Sequence, residues 1–84
     1  MSALPVAVPH EGADAPPRNN GELVFAEPWE GRAFGLCVAL LQERRLRWDD
    51  FRPHLVAAIA ADAGRPYYES LVVALDEFVA ALRT

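Results

Sequence analysis

The stretch over residues 25–34 most constrains the fold, because an irregular, proline-rich segment gives way there to the first helix. Pro28 has no backbone N–H to lose and a fixed φ, so it suits the first position of a helix. Acidic residues on either side of it place negative charge near the positive end of the helix macrodipole. Trp29 and Phe34 supply bulk that a small core must bury. The sequence therefore predicts a helix that begins at Pro28.

Three apolar stripes at helical spacing predict helices over residues 28–44, 48–63 and 67–82. Gly64 is expected to end the second helix as a C′ glycine, and Pro66 to open the third. Pro53 would kink the second helix unless that helix begins near Asp49 or Asp50. The stripes comprise Trp29, Ala33, Phe34, Leu36, Cys37, Val38, Leu40 and Leu41, then Trp48, Phe51, Leu55 and Ile59, and finally Tyr68, Leu71, Val72, Leu75, Phe78, Val79 and Leu82. No segment alternates with strand periodicity, so we expect an all-α protein, a small three-helix domain.

Residues 1–24 are rich in proline, glycine and asparagine, and no regular element fits there. They predict an extended or disordered arm before a helical domain at residues 25–84. Two interpretations remain open: a disordered tail, or an arm that becomes ordered on a partner. The apolar end of the arm, residues 23–25, is able to pack back on the helices.

Length and composition limit the function. An 84-residue chain forms one domain at most, and its hydrophobic content of 52% is enough for a core. The net charge of −4 argues against a nucleic-acid surface. No apolar run approaches the length needed to span a bilayer, and the N-terminus lacks the order of a signal peptide. We therefore expect a cytoplasmic protein with no membrane or nucleic-acid partner.

Residues that could hold a metal or perform chemistry are sparse. Cys37 is the one cysteine, so the chain has no multi-cysteine metal site, and its place on an apolar stripe is typical of a small core hydrophobe. His10 and His54 are far apart in sequence and have no third ligand nearby. No nucleophile, base and oxyanion donors are assembled. We expect no metal and no cofactor on this chain, and no catalysis by the chain alone.

The start of the second predicted helix carries the residues best suited to a binding site. The acidic residues at positions 49 and 50 fit helix capping, whereas Arg52 could present donors to an anion on a partner. In the third helix, Tyr68 fits the core stripe. Tyr67 lies off the stripe, which predicts a hydroxyl free for an interface.

From residue 21 to residue 82 the chain resembles the N-terminal helical domain of the nitrile hydratase β subunit and the related nitrile hydratase accessory (activator) proteins. The resemblance is carried by Asn20-Gly21-Glu22-Leu23-Val24-Phe25, Glu27-Pro28-Trp29-Glu30, Arg32-Ala33-Phe34, Trp48-Asp49-Asp50-Phe51-Arg52, Pro66-Tyr67-Tyr68-Glu69 and Ala74-Leu75. Each piece is weak alone, but together, in this order, they are fairly specific.

The resemblance implies a partner that carries the reactive centre. In this family a nitrile is hydrated to an amide at non-corrin cobalt or non-haem iron, held by a Cys-x-x-Cys-Ser-Cys loop on the α subunit. That loop is absent here. In β-type subunits, the arginine that matches Arg52 hydrogen-bonds the oxygenated cysteine sulfurs of that loop. The resemblance therefore implies that Arg52 is the catalytic residue of this chain. The resemblance places Phe51 and Tyr67 in the substrate pocket at the subunit interface.

The remaining candidate pocket or interface residues are Tyr68, Trp48, Cys37, Leu71, Trp29 and Phe34. Leu71 replaces a tryptophan common in the family, and Cys37 occupies a position that is often aromatic. Both changes would enlarge a pocket, which predicts a bulky nitrile substrate. The C-terminal β-barrel of a full β subunit is missing from this sequence.

Three functional hypotheses follow. The first is a small β-type subunit of a split nitrile hydratase, docked on the α subunit and accompanied by a third, β-barrel subunit. The second is an accessory protein, acting like a metallochaperone, that assists metal loading of the α subunit. The third is an unrelated three-helix interaction module.

Overall fold

Three helices make up most of the protein in the computed structural model, which describes residues 6–83. They are α1 (Pro28–Glu43), α2 (Trp48–Ala61) and α3 (Tyr67–Leu82). Helices α2 and α3 form the most extensive pair, and α1 packs on α3. The predicted all-α, three-helix fold is confirmed.

The helix starts follow from local chemistry. Pro28 occupies the first turn of α1, as predicted, after Glu27 in extended conformation. The Glu30 carboxylate accepts a hydrogen bond from the Ala26 N–H at 2.6 Å. At α2, the Asp50 carboxylate accepts from the Arg47 N–H at 2.7 Å. Each acidic side chain therefore reaches back to a backbone donor that precedes or begins its helix.

The helix ends differ from the sequence prediction. Helix α1 stops one residue early, and Arg45 adopts a left-handed φ of 57°. The Leu46 N–H bonds the Leu41 carbonyl at 2.8 Å, in the pattern of a Schellman motif. The prediction that Gly64 is a C′ glycine is wrong. Helix α2 ends at Ala61 because Asp62 already leaves helical conformation, and Gly64 has no positive φ.

Pro53 lies inside α2, in the second turn of a helix that begins at Trp48. The backbone donor that proline lacks would have bonded the carbonyl four residues earlier, on Asp49. The helix nevertheless runs through this position to Ala61. Pro66, which the sequence places at the opening of α3, is its N-cap residue.

A short β-hairpin lies within the predicted arm, so the expectation that no regular element fits there is wrong. Strands β1 (Arg18–Asn19) and β2 (Glu22–Leu23) pair antiparallel, with Arg18 opposite Leu23. The turn residues Asn20 and Gly21 have φ values of 54° and 83°. An Asn-Gly pair favours this two-residue turn because both residues tolerate positive φ. The hairpin fits between Pro17 and Pro28, where no proline removes a donor.

The core lies between the three helices and under the arm. Its buried apolar side chains are Val6, Phe34, Cys37, Leu41, Trp48, Phe51, Leu55, Ala58, Tyr68, Leu71, Ala74 and Phe78. The prediction is wrong for two side chains of the apolar stripes, because Leu36 is 66% exposed and Val72 is 42% exposed. Leu36 follows Phe34 by two residues, which is about 200° around the helix, so it faces away from the core.

The arm packs against the helices. Val6 is buried with the core residues, and Asp14 is only 4% exposed. At the other end of the arm, the Tyr68 hydroxyl donates to the Val24 carbonyl at 3.2 Å. The Phe25 ring lies 5.3 Å from the Tyr68 ring between centroids. The division of the chain at residue 25 stays a prediction, and residues 1–5 and 84 of the two predicted ranges lie outside the described residues.

Candidate functional site

Three side chains from two helices meet at Asp14 of the arm, two at its carboxyl group and one at its backbone carbonyl. The Trp48 indole Nε1–H donates to Asp14 Oδ2 at 2.8 Å. The Arg52 Nε atom lies 3.5 Å from Asp14 Oδ1, as an ion pair. The Tyr67 hydroxyl donates to the Asp14 backbone carbonyl at 2.8 Å. We refer to these residues as the Asp14 cluster.

The helices place the cluster by simple geometry. Trp48 and Arg52 are four residues apart, so they lie on the same face of the first turns of α2. Tyr67 is the first residue of α3. The N-terminal ends of both helices therefore meet the same point of the arm, which accepts hydrogen bonds from Trp48 and Tyr67 and pairs by charge with Arg52.

Burial and charge differ sharply within the cluster. The Asp14 carboxylate is almost completely buried, a position that requires hydrogen bonds and a charge partner. The Arg52 side chain is 57% exposed. Within residues 6–83, no hydrogen bond engages the two terminal guanidinium nitrogens of Arg52. The cluster therefore holds one edge of the guanidinium group and leaves its fork accessible.

Arg52 also borders a shallow surface groove on α2. The groove has a volume of about 530 Å³, is open to solvent, and is lined mainly by apolar side chains. Its lining residues are Asp49, Arg52, Pro53, Val56, Ala57 and Ala60. An exposed guanidinium beside an apolar groove suits a protein or peptide surface that carries an anionic group.

Burial keeps one thiol and two phenol groups, those of Cys37, Tyr67 and Tyr68, in their neutral forms. It raises the pKa of the Cys37 thiol to about 12. Burial, followed by the negative charge of Glu30, raises the pKa of Tyr68 to about 12. Burial also raises the pKa of Tyr67, with smaller contributions from Tyr68 and Asp14. Both tyrosines are therefore hydrogen-bond donors at neutral pH, and Cys37 is a thiol and not a nucleophilic thiolate.

The predicted site residues are only partly brought together. Arg52 is exposed, whereas Phe51, Leu71 and Cys37 have no exposed surface. Phe34, Trp48 and Tyr68 are buried, and Trp29 is partly buried. The expectation that the Tyr67 hydroxyl is free is wrong, because it bonds the arm. Contact of these residues with substrate stays a prediction, as does the preference for a bulky nitrile inferred from Leu71 and Cys37.

Sequence reasoning missed Asp14, because nothing in a proline-rich arm marks one acidic residue as buried. It also missed Arg65, which links α2 to α3. The Arg65 Nε donates to the Ser70 hydroxyl at 3.0 Å, and one terminal nitrogen donates to the Ala58 carbonyl at 2.7 Å. Ser70 is buried, so its contact with Arg65 satisfies a core hydroxyl.

Groups suited to a metal are not assembled in the described part of the chain. No three His, Cys, Asp or Glu side chains of residues 6–83 lie close enough together to hold an ion. His10 is exposed, and the His54 ring packs edge-on against Phe78 at 5.2 Å. Across the same residues, none of the helices has the length and hydropathy to cross a membrane.

The fold and the site together define a small three-helix domain, covered by its own arm, with an exposed arginine beside an apolar groove. The chain matches the family model described as nitrile hydratase beta subunit, N-terminal, over residues 8–82, and it belongs to that family. This confirms the resemblance to the β-subunit domain. The match includes most of the arm as well as the three helices, so Asp14 lies within the family region. No curated protein and no solved structure matches the chain.

Proposed function

We propose that this chain is a small β-type subunit that docks on the metal-bearing α subunit of a nitrile hydratase and completes the site for hydration of a nitrile to an amide. Membership in the family implies association with an α subunit. The observation that carries the proposal is the Arg52 guanidinium group, exposed at the rim of the α2 groove and held at one edge by Asp14.

Arg52 is suited to an anionic partner because its planar fork donates two parallel hydrogen bonds. In the proposed complex, its terminal N–H groups donate to the oxygens on the oxygenated cysteine sulfurs of the α-subunit metal loop. Cobalt or iron on that subunit supplies the Lewis acid for hydration. The role of Arg52 is to bind and orient the anionic oxygens, and the role of the α2 groove is to exclude water around them.

The assembly contains further parts in this proposal. A β-barrel subunit is the third component of the assembly, and the complex is cytoplasmic. The family match replaces the hypothesis of an unrelated three-helix module.

An accessory role in metal loading is the second candidate, and two observations favour it. Phe51, Leu71 and Cys37 have no exposed surface that could form a wall of a substrate pocket. The Tyr67 hydroxyl is bonded within the chain. A protein that binds the α subunit only transiently needs Arg52 and the groove for that contact. It does not need the four side chains just named to contact the substrate.

Stoichiometry separates the two candidates. The full chain is co-expressed with a nitrile hydratase α subunit and with candidate β-barrel subunits, and the nitrile-hydrating fraction is purified through a tag on the α subunit. A subunit is present in that fraction in a fixed ratio to the α subunit. An accessory protein is absent from it but is required for metal content during expression. If the chain neither accompanies the α subunit nor alters its metal content, both candidates are refuted.

A further inference from the structure

Beside the proposed contact between Arg52 and the α subunit, the structure contains a buried carboxylate, that of Asp14. It belongs to the arm, yet it lies against two residues of α2 that are 34 and 38 positions further along the chain. A carboxylate this deeply buried is costly unless its oxygens are engaged. One oxygen accepts from the Trp48 indole, and the other faces the Arg52 Nε atom at 3.5 Å.

We propose that Asp14 is a positioning residue for Arg52. The Trp48 indole fixes the Asp14 carboxylate, and the carboxylate charge then holds the Nε edge of the guanidinium group. The Tyr67 hydroxyl fixes the Asp14 backbone from the other side. The arm thus sets the direction of the Arg52 fork before a partner arrives.

Preorganisation is the physical reason for such an arrangement. An exposed arginine has many rotamers, and binding an anion through both terminal nitrogens requires one of them. The ion pair at Nε engages the one guanidinium nitrogen that the fork does not need. A partially exposed pair contributes modestly, so its loss is expected to change a measured equilibrium about two- to fivefold.

The cluster itself can be tested without any partner. In NMR spectra of the full chain, the Arg52 Nε–H, assigned with Arg52→Gln, is expected to exchange with solvent about two- to fivefold more slowly than the Nε–H of Arg83 at the exposed end of α3. In Asp14→Asn this difference is expected to vanish. Asparagine still offers an oxygen to the Trp48 indole, so the substitution removes mainly the charge.

Asp76→Asn, at an exposed position of α3, is the matched control, because it changes net charge equally and leaves the cluster intact. Equal exchange at Arg52 and Arg83 in the unaltered chain overturns the inference, and this measurement decides the matter even if Asp14→Asn fails to fold. Unchanged Arg52 exchange in folded Asp14→Asn also overturns it.

The consequence for partner binding rests on the proposed function. With the α subunit as the probe, Asp14→Asn is expected to weaken binding of the full chain about two- to fivefold, and Arg52→Gln about tenfold. In the Arg52→Gln background, Asp14→Asn is expected to add nothing. A purely structural role of Asp14 would weaken binding equally in both backgrounds, which contradicts the inference.

The two proposals fail in different ways. If Arg52→Gln binds the α subunit as tightly as the unaltered chain, the proposed function fails, whereas the exchange measurement still tests the Asp14–Arg52 pair. If Arg52→Gln binds weakly and Asp14→Asn binds normally, the positioning role fails and the proposed function stands.

Discussion

Replacing Tyr67 with phenylalanine tests whether the arm is held on the helices as the structure shows. The substitution removes one hydroxyl, which donates to the Asp14 carbonyl at 2.8 Å across 53 positions of sequence. The ring, and with it the edge-on contact to Tyr68 at 5.0 Å, is retained. A neutral hydrogen bond contributes about 1 kcal/mol, so Tyr67→Phe is expected to lower the free energy of unfolding by about that amount. In a domain of this size, the melting temperature falls by about 4–8 °C.

The assay is urea unfolding followed by circular dichroism, together with amide hydrogen exchange of residues 12–15, the segment before the two prolines at positions 16 and 17. Exchange in this part of the arm is expected to accelerate, because the lost bond anchors its backbone. Tyr68→Phe is the matched control, since its hydroxyl donates to the arm at Val24, with a longer distance of 3.2 Å. That control is expected to cost no more stability and to loosen the arm near Val24. Unchanged stability and unchanged exchange in Tyr67→Phe would refute the packing of the arm at Asp14.

Three further predictions concern the helical core. Gly35→Ala is expected to raise the free energy of unfolding by about 0.5–1 kcal/mol in urea denaturation, because a Cβ at this helical position meets nothing within 4 Å. Leu41→Ala is expected to lower it by about 2–5 kcal/mol, whereas Leu36→Lys changes it by less than about 0.5 kcal/mol; equal losses would contradict the assignment of Leu36 to the surface. The neutral Cys37 thiol stabilises the fold fully below pH 9.0, and this contribution, up to about 4 kcal/mol, is lost as the pH rises towards 12. Urea midpoints between pH 8 and 11 are expected to fall less steeply in Cys37→Ala, and an identical slope would show that thiol ionisation does not contribute.

The helices could be predicted from the sequence because their signals are local. Pro28 marks the start of α1, and the spacing of apolar residues places all three helices to within two residues at each end. The hairpin also has a local signal in the Asn20-Gly21 pair, but the prolines on either side of it favour irregular structure. The exposed position of Leu36 could not be predicted from the sequence. The apolar stripe of α1 is wide, and the packing of α1 on α3 buries only one side of that stripe.

The candidate site was predictable only in part. Arg52 can be identified from the resemblance and from its place at a helix start. Asp14 cannot be identified from the sequence, because its burial depends on contacts with residues 34 and 53 positions away. The same reason applies to Tyr67: it lies off the apolar stripe as predicted, but the partner of its hydroxyl comes from the distant arm. Contacts of this range follow from how the arm folds back, which no local pattern encodes.

The central claim is that Arg52 of this chain serves a reactive centre on another polypeptide, and nitrile hydration by the purified complex tests it most directly. Arg52→Lys keeps the positive charge but loses the planar fork. If this chain is a subunit, kcat is expected to fall at least about tenfold at unchanged metal content, while Arg83→Lys retains full activity. Unchanged kcat in Arg52→Lys, in a complex that contains the chain and its full metal content, would contradict the account.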